Sequence, residues 1–295
     1  MNMKLFSPDA LVAIQGITGK EGARMTEWLL GSGVQVVGGV TPGKGGQTVL
    51  EKPVFNSVAE LRAMFPAVEA SCVVVPPQRV LGAVIEAIEA GIRFVHILSE
   101  NVPVHDALMI RDLAKKSGAM VLGPSSVGYL QFPPFRLGYL GGERPFDILH
   151  EGDIAVISTS GGMANELMMA LGNAGIGIRV AMAIGGDRIS GTALEEAIRW
   201  CESLPEVRRL ALFVEPGQPW VLQLASGETT LQKPASILLA GDALDNLPRG
   251  LPYGHTGTIL GEDDVSVRDL RSLLEARGIR VTGSVRDFVL SCTEV

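Results

Sequence analysis

The chain has 295 residues, of which 46% are apolar and 19% charged, and its formal net charge is −7. This length accommodates two domains of ordinary size, and the composition excludes an intrinsically disordered protein. The negative charge argues against binding to nucleic acid or to an anionic membrane, since both depend on dense lysine and arginine.

The cysteines and the apolar runs indicate the compartment. Cys72, Cys201 and Cys292 are widely spaced and form no C-x-x-C pair, which argues against a disulfide framework or a zinc site. The sequence shows no N-terminal signal and no apolar run of the roughly 18 residues that a membrane span needs. We therefore expect a soluble cytoplasmic protein without a metal site.

The first glycine loop follows an apolar run at residues 11–14, which predicts a buried parallel strand, and precedes a helical pattern at 23–30. Amide groups at the helix start favour an anion. The loop reads G-x-x-G-x-x-G over residues 16–22, however, and residues 36–46 contain no carboxylate for a nicotinamide ribose. A tight βα turn without a ligand is the alternative for this loop.

A second glycine loop, Gly43-Lys44-Gly45-Gly46, presents a lysine where a nicotinamide-binding protein would present an acid. A lysine there suits a ligand whose ribose carries or neighbours phosphate. Because both loops carry a lysine at the predicted carboxyl end of a strand, we favour a bound ligand over two empty turns.

Strands and helices alternate through the rest of the first half. This alternation predicts a doubly wound parallel sheet, whose strand ends form the usual ligand crevice. We expect packing or capping roles for His96, within a strand, and His105, near a helix start. The predicted strands are 72–75, 94–98 and 119–122, and the predicted helices are 80–90 and 104–117.

Residues 128–152 lose periodicity and gather glycine and proline, which predicts an interdomain connection or an ordered loop. A second α/β series follows, and its first turn, Ser158 to Gly162, resembles another anion site, although an ordinary serine cap is the alternative. The predicted strands are 154–157, 180–184, 210–214, 235–240 and 279–282, and the predicted helices are 163–171, 192–201 and 267–277.

Near the end of the chain, His255 stands between Gly254 and Gly257 on a loop that follows a strand. The glycines let the imidazole approach a second surface. An ordinary histidine pKa of about 6.5 leaves much of it neutral, so it can attack a phosphoryl group. The alternative is a histidine in a surface loop. Glu215 and the Ser160 turn are predicted on the same sheet edge.

These motifs together resemble the α subunit of succinyl-CoA synthetase, over nearly the whole chain. The motifs, in order, are Gln15-Gly16-x-Thr18-Gly19-x-x-Gly22, residues 38–46, residues 53–58, Ser158-x-Ser160-Gly161, Gly185-Gly186-Asp187, Glu215 and Gly254-His255-x-Gly257. The resemblance implies an N-terminal Rossmann-like CoA-binding domain (1–126), a linker or ordered connection (127–150) and a flavodoxin-like CoA-ligase domain (151–295).

The resemblance also implies roles for individual residues. His255 becomes phosphorylated, and Glu215 orients its ring by accepting a hydrogen bond. Asn165 contacts the substrate, a small carboxylic acid. Contacts to coenzyme A come from Thr18, Gly19, Lys20, Glu21, Lys44, Leu98, Ser99 and Glu100, and contacts to phosphate come from Ser158, Ser160, Gly161 and Gly162.

The same family scheme requires a second polypeptide. Nothing in this chain resembles an ATP-grasp site, so an ATP-grasp β subunit is expected to bind ATP or GTP with Mg²⁺, and the chain is expected to turn over only in that hetero-oligomer. A CoA-binding or regulatory protein that lost turnover is the main alternative. An NAD-dependent oxidoreductase is disfavoured by the glycine spacing.

Three departures from the family pattern bear on the substrate. Ser125 and Ser126 stand in a segment where the family reads G-P-N-C-P-G, Thr159 replaces an arginine, and Asn165 replaces a tyrosine. Loss of a cation and an aromatic ring beside the phosphate changes which acid fits, because pocket polarity decides discrimination. We expect a polar carboxylic acid other than succinate.

Overall fold

The computed structural model describes residues 3–251, 253, 259–262 and 264–293. Its first sheet has the strand order β3-β4-β2-β1-β5-β6-β7 and is parallel except for the short β3–β4 pair. The strands are β1 (Leu11–Gln15), β2 (Gln35–Val40), β3 (Thr48–Val49), β4 (Lys52–Phe55), β5 (Val68–Val73), β6 (Phe94–Ile97) and β7 (Met120–Leu122). The apolar runs are buried on both faces, as parallel strands require.

Four helices cover this sheet: α1 (Lys20–Gly31), α2 (Val58–Met64), α3 (Val80–Glu89) and α4 (Val104–Ser117). The last three pack on one face, where Leu61, Val84 and Ile110 share a core with Val73 and Val95. On the other face, α1 belongs to a core that continues into the second half of the chain.

The second sheet has the order β14-β13-β12-β10-β11-β8-β9. Its strands are β8 (Gly128–Gln131), β9 (Phe135–Gly138), β10 (Glu151–Ser158), β11 (Ile178–Ala183), β12 (Arg209–Val214), β13 (Ala235–Leu239) and β14 (Arg280–Thr282). Its helices are α5 (Gly161–Asn173), α6 (Leu194–Ser203), α7 (Pro219–Ser226), α8 (Val267–Glu275) and α9 (Val285–Thr293).

The strand orders confirm the predicted fold class. In the first sheet, the parallel strands follow the Rossmann order 3-2-1-4-5-6, and in the second sheet β10 to β14 follow the flavodoxin-like order 2-1-3-4-5. In both sheets the order reverses beside the first parallel strand. Ligand crevices are therefore expected after β1 and β5, and after β10 and β12.

The segment that sequence reasoning treated as a connection forms the antiparallel hairpin of β8 and β9 at the edge of the second sheet. The hairpin also packs on the first sheet, where the ring centroids of Tyr129 and Phe94 lie 5.0 Å apart. Gln131 exchanges two hydrogen bonds with the backbone of Phe6, at 2.8 and 2.9 Å. The N-terminal segment and the hairpin thus join the two halves.

A second seam runs along β7, the edge strand of the first sheet. The loop after β11 follows this edge and donates from Gly186 N–H to Ser125 O at 3.1 Å and from Thr192 N–H to Val121 O at 2.8 Å. Gly123 N–H donates in turn to Ile184 O at 2.7 Å. These bonds hold the carboxyl ends of β7 and β11 side by side, so the ligand edges of the two sheets meet.

None of the described helices has the length and apolar character needed to cross a bilayer.

Candidate functional site

The glycine turn after β1 brings the start of α1 against the strand end. Gly16 has φ +90°, and a Cβ added to Gly22 would lie well inside 3.0 Å of the Gly16 carbonyl oxygen. Gly19 is the N-cap and supplies no side-chain acceptor to the first turn, while Lys20 and Glu21 are exposed. The first amides of α1 therefore remain open to an anionic group.

The loops after β1 and β2 are tied to each other. Thr18 Oγ1 donates to Thr41 Oγ1 at 3.1 Å, so Thr18 holds the two glycine loops together. The second loop is braced from behind by Asn56, whose Oδ1 accepts from Gly43 N–H and Gly45 N–H at 3.0 Å each. Lys44, exposed between them, is thereby presented on a fixed backbone.

No role of its own was predicted for Asn56 from the sequence. The signal for it was available, because asparagine side chains accept hydrogen bonds from turn backbones. The turn that Asn56 serves is 10 or more residues earlier in the chain, however, so local pattern reasoning did not connect the two.

The segment Leu98-Ser99-Glu100 follows β6 and continues the same edge. Ser99 Oγ donates to Val75 O at 2.5 Å, and Ser99 O accepts from Ser125 N–H at 2.9 Å. Leu98 is half-buried and Glu100 is exposed. Ser99 therefore links the loops after β5, β6 and β7 into one surface.

Asp187, from the second half of the chain, lies against this surface. Burial, and then the nearby Glu100 carboxylate, raise the pKa of Asp187, whereas the backbone N–H groups of Val102 and Asn101 lower it. The Gly185-Gly186-Asp187 motif thus reaches the backbone beside the predicted CoA contacts. Gly185 has φ +130°, and a Cβ there would meet the Pro124 carbonyl oxygen inside 3.0 Å.

The start of α5 is the second predicted anion site. Ser158 Oγ donates to Ser160 O at 2.7 Å and accepts from Ser160 N–H at 3.0 Å, which fixes the turn. Ser160 Oγ caps the helix by accepting from Met163 N–H at 3.4 Å. Gly161 packs against Val127, and Gly162 has open space where a Cβ would be. Ser158 therefore shapes this turn, and the helix start faces outward at Gly162.

Glu215, at the end of β12, lines a cavity of about 680 Å³ together with Thr159, Gln218 and Ile259. The Glu215 side chain is buried, at 5% exposure. Thr159 is 8% exposed, and its Oγ1 has no hydrogen-bond partner among the described residues. The cavity lies at the point of the second sheet where the strand order reverses, between β10 and β12.

His255, the predicted phosphorylated residue, lies outside the described residues. The ends of its loop are held together, because Gly250 N–H donates to Leu260 O at 2.7 Å. Ile259, next to that closure, lines the Glu215 cavity.

Asn165 lies away from the Glu215 cavity. Its Oδ1 accepts from Gly141 N–H at 2.8 Å, and its Nδ2 donates to Gly161 O at 3.4 Å. The side chain lines a separate cavity between α1 and α5. Its amide is therefore occupied in holding the turn at Gly141.

The divergent segment after β7 has a structural explanation. Ser126 Oγ donates to Ala183 O at 2.7 Å and accepts from Gly128 N–H at 3.1 Å, which adds a buried link between the halves.

The carbonyl oxygen of Ser126 accepts from His96 Nε2–H at 2.8 Å. Burial lowers the pKa of His96 to about 4, so this ring is neutral and packs inside the fold. His105 is exposed.

No group of three or more histidine, cysteine, aspartate or glutamate side chains that could hold a metal ion was found within the described ranges.

Comparison with known proteins assigns the ligand. Residues 8–101 match the family model described as CoA binding domain. The chain is 35% identical over 270 residues to subunit alpha 2 of the ADP-forming succinate–CoA ligase of Archaeoglobus fulgidus, covering 92% of this chain and 91% of that one. It is 32% identical over 257 residues to a subunit, SauD, of the ADP-forming sulfoacetate–CoA ligase of Bilophila wadsworthia, covering 85% of each chain.

A solved structure shares the fold. The ATP citrate lyase of Methanothrix soehngenii, in complex with citrate and coenzyme A, aligns with a TM-score of 0.84 at 21% identity, covering 98% of this chain and 50% of that longer chain. This likeness concerns the fold alone.

The glycine cradle on a Rossmann-type sheet, within the matched residues 8–101, defines a CoA-binding protein, and the predicted cofactor is confirmed. At 35% identity over nearly its full length, the chain belongs to the family of the α subunits of ADP-forming succinate–CoA ligases, as the sequence resemblance predicted.

Proposed function

We propose that the chain is the α subunit of an ADP- or GDP-forming carboxylate–CoA ligase that acts through a phosphohistidine at His255. The supporting observation is the seam along β7, where Gly186 N–H donates to Ser125 O. This seam joins the edge that would bind CoA to the edge that would hold a phosphoryl group. A thiol bound on one edge can then reach an acyl phosphate formed on the other.

Coenzyme A would lie along the first edge. Its diphosphate would bind at the amides of Lys20 and Glu21, where a helix start favours an anion. Gly19, whose own N–H donates to Gly16 O at 3.0 Å, would let the diphosphate approach the backbone, and Thr18 would fix the loop. Lys44 would contact the phosphorylated ribose, and the Leu98-Ser99-Glu100 segment would contact the pantetheine arm. The structure supports this by the connected loops and the exposed lysine.

His255 would be phosphorylated over the second edge. The closed loop base at Gly250 and Leu260 and the position of Ile259 at the cavity support an approach to Glu215. Glu215 would accept a hydrogen bond from one ring nitrogen and leave the other free to attack. The amides at Gly161 and Gly162 would stabilise the phosphoryl charge.

The reaction would proceed in three displacements. The free ring nitrogen attacks the γ-phosphorus of ATP or GTP, and the bond to the departing nucleoside diphosphate breaks. A substrate carboxylate oxygen then attacks the phosphorus and breaks the P–N bond, which gives an acyl phosphate. The CoA thiolate finally attacks the acyl carbon, and inorganic phosphate leaves with the C–O bond electrons. The nucleotide and Mg²⁺ would be bound by an ATP-grasp β subunit.

The acid would be small and polar. Relatives of the family carry the names of succinate and sulfoacetate ligases, so the family accommodates different acids. Thr159 supplies a buried hydroxyl beside Glu215, where the family pattern has an arginine. This change supports a substrate other than succinate, since a cation is missing beside the phosphate.

We further assign residues 1–126 to CoA binding, 127–150 to an ordered connection and 151–295 to the ligase domain. The hairpin of β8 and β9 belongs to the sheet of the third segment by its hydrogen bonds, and it packs on the sheet of the first.

The test is labelling of the chain with γ-³²P ATP or GTP in complex with its β subunit. We expect base-stable, acid-labile label on the wild-type chain and on His105→Asn, and none on His255→Asn. The control replaces an exposed histidine that takes no part in the proposed reaction. Label on His255→Asn, or no label on a wild-type complex that binds CoA and nucleotide, would contradict the proposal. The second result would favour a CoA-binding protein that lost turnover.

A further inference from the structure

The Gly185-Gly186-Asp187 motif takes no part in the three displacements described for the proposed reaction. Its aspartate is half-buried in the loop after β11. The Asp187 carboxylate accepts hydrogen bonds from the backbone N–H groups of Asn101 and Val102 and lies near Glu100. It also lines the cavity that contains Glu215. This carboxylate therefore lies where the edge proposed for CoA meets the edge proposed for the phosphoryl group.

The loop that carries Asp187 is held against the first half of the chain. Arg111, on α4, donates from Nε to Ser190 O at 2.8 Å, which fixes the far end of the loop. At its near end, Gly185 has φ +130° and leaves no room for a Cβ beside the Pro124 carbonyl oxygen. The position of Asp187 relative to the CoA edge is thus set by contacts between the two halves.

The cavity of about 680 Å³ connects Asp187 with Glu215, since both side chains line it. In the proposed reaction the acyl phosphate forms beside Glu215, and the pantetheine arm of CoA approaches along the segment that ends at Glu100. A thiol that travels from this segment to the acyl carbon enters the cavity beside Asp187.

The last displacement requires that a proton leave the CoA sulfur. The nucleophile is the thiolate, and a thiol with an ordinary pKa of about 8.5 is mostly protonated at pH 7. A base within hydrogen-bond reach of the S–H group removes this obstacle. Neither His255 nor Glu215 is available for it, because the proposed reaction uses both around the phosphoryl group.

The surroundings of Asp187 suit a base. Burial, followed by the Glu100 carboxylate, raises the pKa of Asp187, and a raised pKa makes a carboxylate a stronger base. Within the part of the chain that the structure describes, Asp187 forms no salt bridge that would oppose protonation. A carboxylate has about four lone-pair sites, so the N–H groups of Asn101 and Val102 leave room for a thiol.

Two other carboxylates among the described residues line the cavity. Glu195 is engaged in a salt bridge with Arg199 at 2.8 Å. Glu215 is buried, at 5% exposure, and has the role of orienting His255. Asp187 is therefore the carboxylate that remains for the thiol. The cations that line the same cavity are Arg111 and Arg188.

We propose that Asp187 is the general base that takes the proton of the coenzyme A thiol. As the S–H bond breaks, the proton passes to a carboxylate oxygen of Asp187, and the sulfur electron pair attacks the acyl carbon. The C–O bond to phosphate then breaks, and inorganic phosphate leaves with its electrons. Asp187 releases the proton to solvent after acyl-CoA departs. This inference rests on the proposed function, because it presupposes an acyl phosphate.

The test is Asp187→Asn in the complex of the ³²P-labelled chain with its β subunit, with succinate and sulfoacetate as acids. Asparagine keeps an oxygen for the two backbone N–H groups and cannot take a proton. We expect unchanged labelling, unchanged CoA affinity in calorimetry and unchanged transfer of label to the acid without CoA. Acyl-CoA formation at pH 7 should slow about 100-fold or more, since a general base contributes about 10²–10⁴-fold.

The pH profile separates a base from a structural residue. Between pH 7 and 8.5 the rate of Asp187→Asn should rise about tenfold per pH unit, because the thiolate fraction rises in that proportion. The wild-type rate should change less than about threefold over the same range, because it does not depend on a preformed thiolate. A structural defect would lower the rate by the same factor at every pH.

Glu195→Gln is the matched control, because it removes one negative charge from the same cavity. It should leave acyl-CoA formation unchanged. A normal rate in Asp187→Asn, a defect of equal size at pH 7 and 8.5, or loss of labelling or of CoA binding in that variant would overturn the proposal. Failure of the proposed function differs from these results, because the wild-type chain itself would then take no label.

Discussion

Gly22 offers a direct test of how the CoA cradle is built. A Cβ at this position would press into the backbone of the β1–α1 turn, at the Gly16 carbonyl oxygen and the Ile17 Cα. Backbone atoms cannot rotate away, so Gly22→Ala must displace the start of α1 or the turn by about 1 Å. Helix propensity alone favours alanine by about 1 kcal/mol. Overpacking destabilises a protein by about 1–3 kcal/mol. Because the added Cβ would meet backbone atoms at close range, we expect a cost at the upper end of this range.

We therefore expect Gly22→Ala to lower the free energy of unfolding by about 1–2 kcal/mol. It should weaken CoA binding about tenfold or more, because each misaligned hydrogen bond to a charged group loses about 1.5 kcal/mol. Gly31→Ala is the matched control, because it lies on the same helix with open space where a Cβ would be. Urea unfolding and calorimetric titration with CoA measure both effects. Equal stability and equal CoA affinity in the two variants would refute the packing argument.

Two further predictions concern the bracing of the site and its pH dependence. Asn56→Ala removes the acceptor that holds the Lys44 loop and should weaken CoA binding by about fivefold to tenfold in calorimetry. The control Asn173→Ala, at an exposed position, should leave CoA binding unchanged. Unchanged affinity in Asn56→Ala would show that the loop keeps its shape without this acceptor. The pKa of His96 is about 4 in the folded protein, against an ordinary 6.5. Between these two pH values the unfolded chain binds a proton at His96 and the folded protein does not. The stability contributed by the neutral ring is therefore present above pH 6.5 and is lost as the pH falls towards 4, by about 3 kcal/mol in all. Unfolding curves between pH 7 and 4 should therefore be less steep in pH for His96→Gln than for the exposed His105→Gln, and equal slopes would contradict the assignment.

The sequence predicted the alternating elements well where hydrophobic periodicity was strong. The helix expected at residues 104–117 has those bounds in α4. The hairpin of β8 and β9 was not recognised, because Pro133, Pro134 and the flanking glycines read as a connection. Its strands are fully buried by contact with both halves, so tertiary packing and not local pattern makes them strands. Helix α7 begins at Pro219. It was not predicted, because Pro216 and Gly217 before it were interpreted as part of a loop.

The candidate site was predictable in its motifs and not in its assembly. The Thr18 and Lys44 loops are each visible in a short window of sequence. The seam that joins Ser125 to Gly186 and the cavity between α1 and α5 combine segments far apart in the chain, which no local spacing reveals. The substrate contact expected of Asn165 stays a prediction. Its amide oxygen accepts from Gly141 N–H, a contact across 24 residues of chain that no local spacing reveals.

The central claim is that a phosphoryl group on His255 and a CoA bound on the neighbouring edge take part in one reaction. The most direct measurement starts from the purified complex of the ³²P-labelled chain with its β subunit. Acid and CoA are added, and a single turnover is followed. We predict that label leaves the protein as inorganic phosphate and that one acyl-CoA forms per phosphate released. Label that persists in the presence of both substrates, or phosphate release without acyl-CoA, would contradict the account.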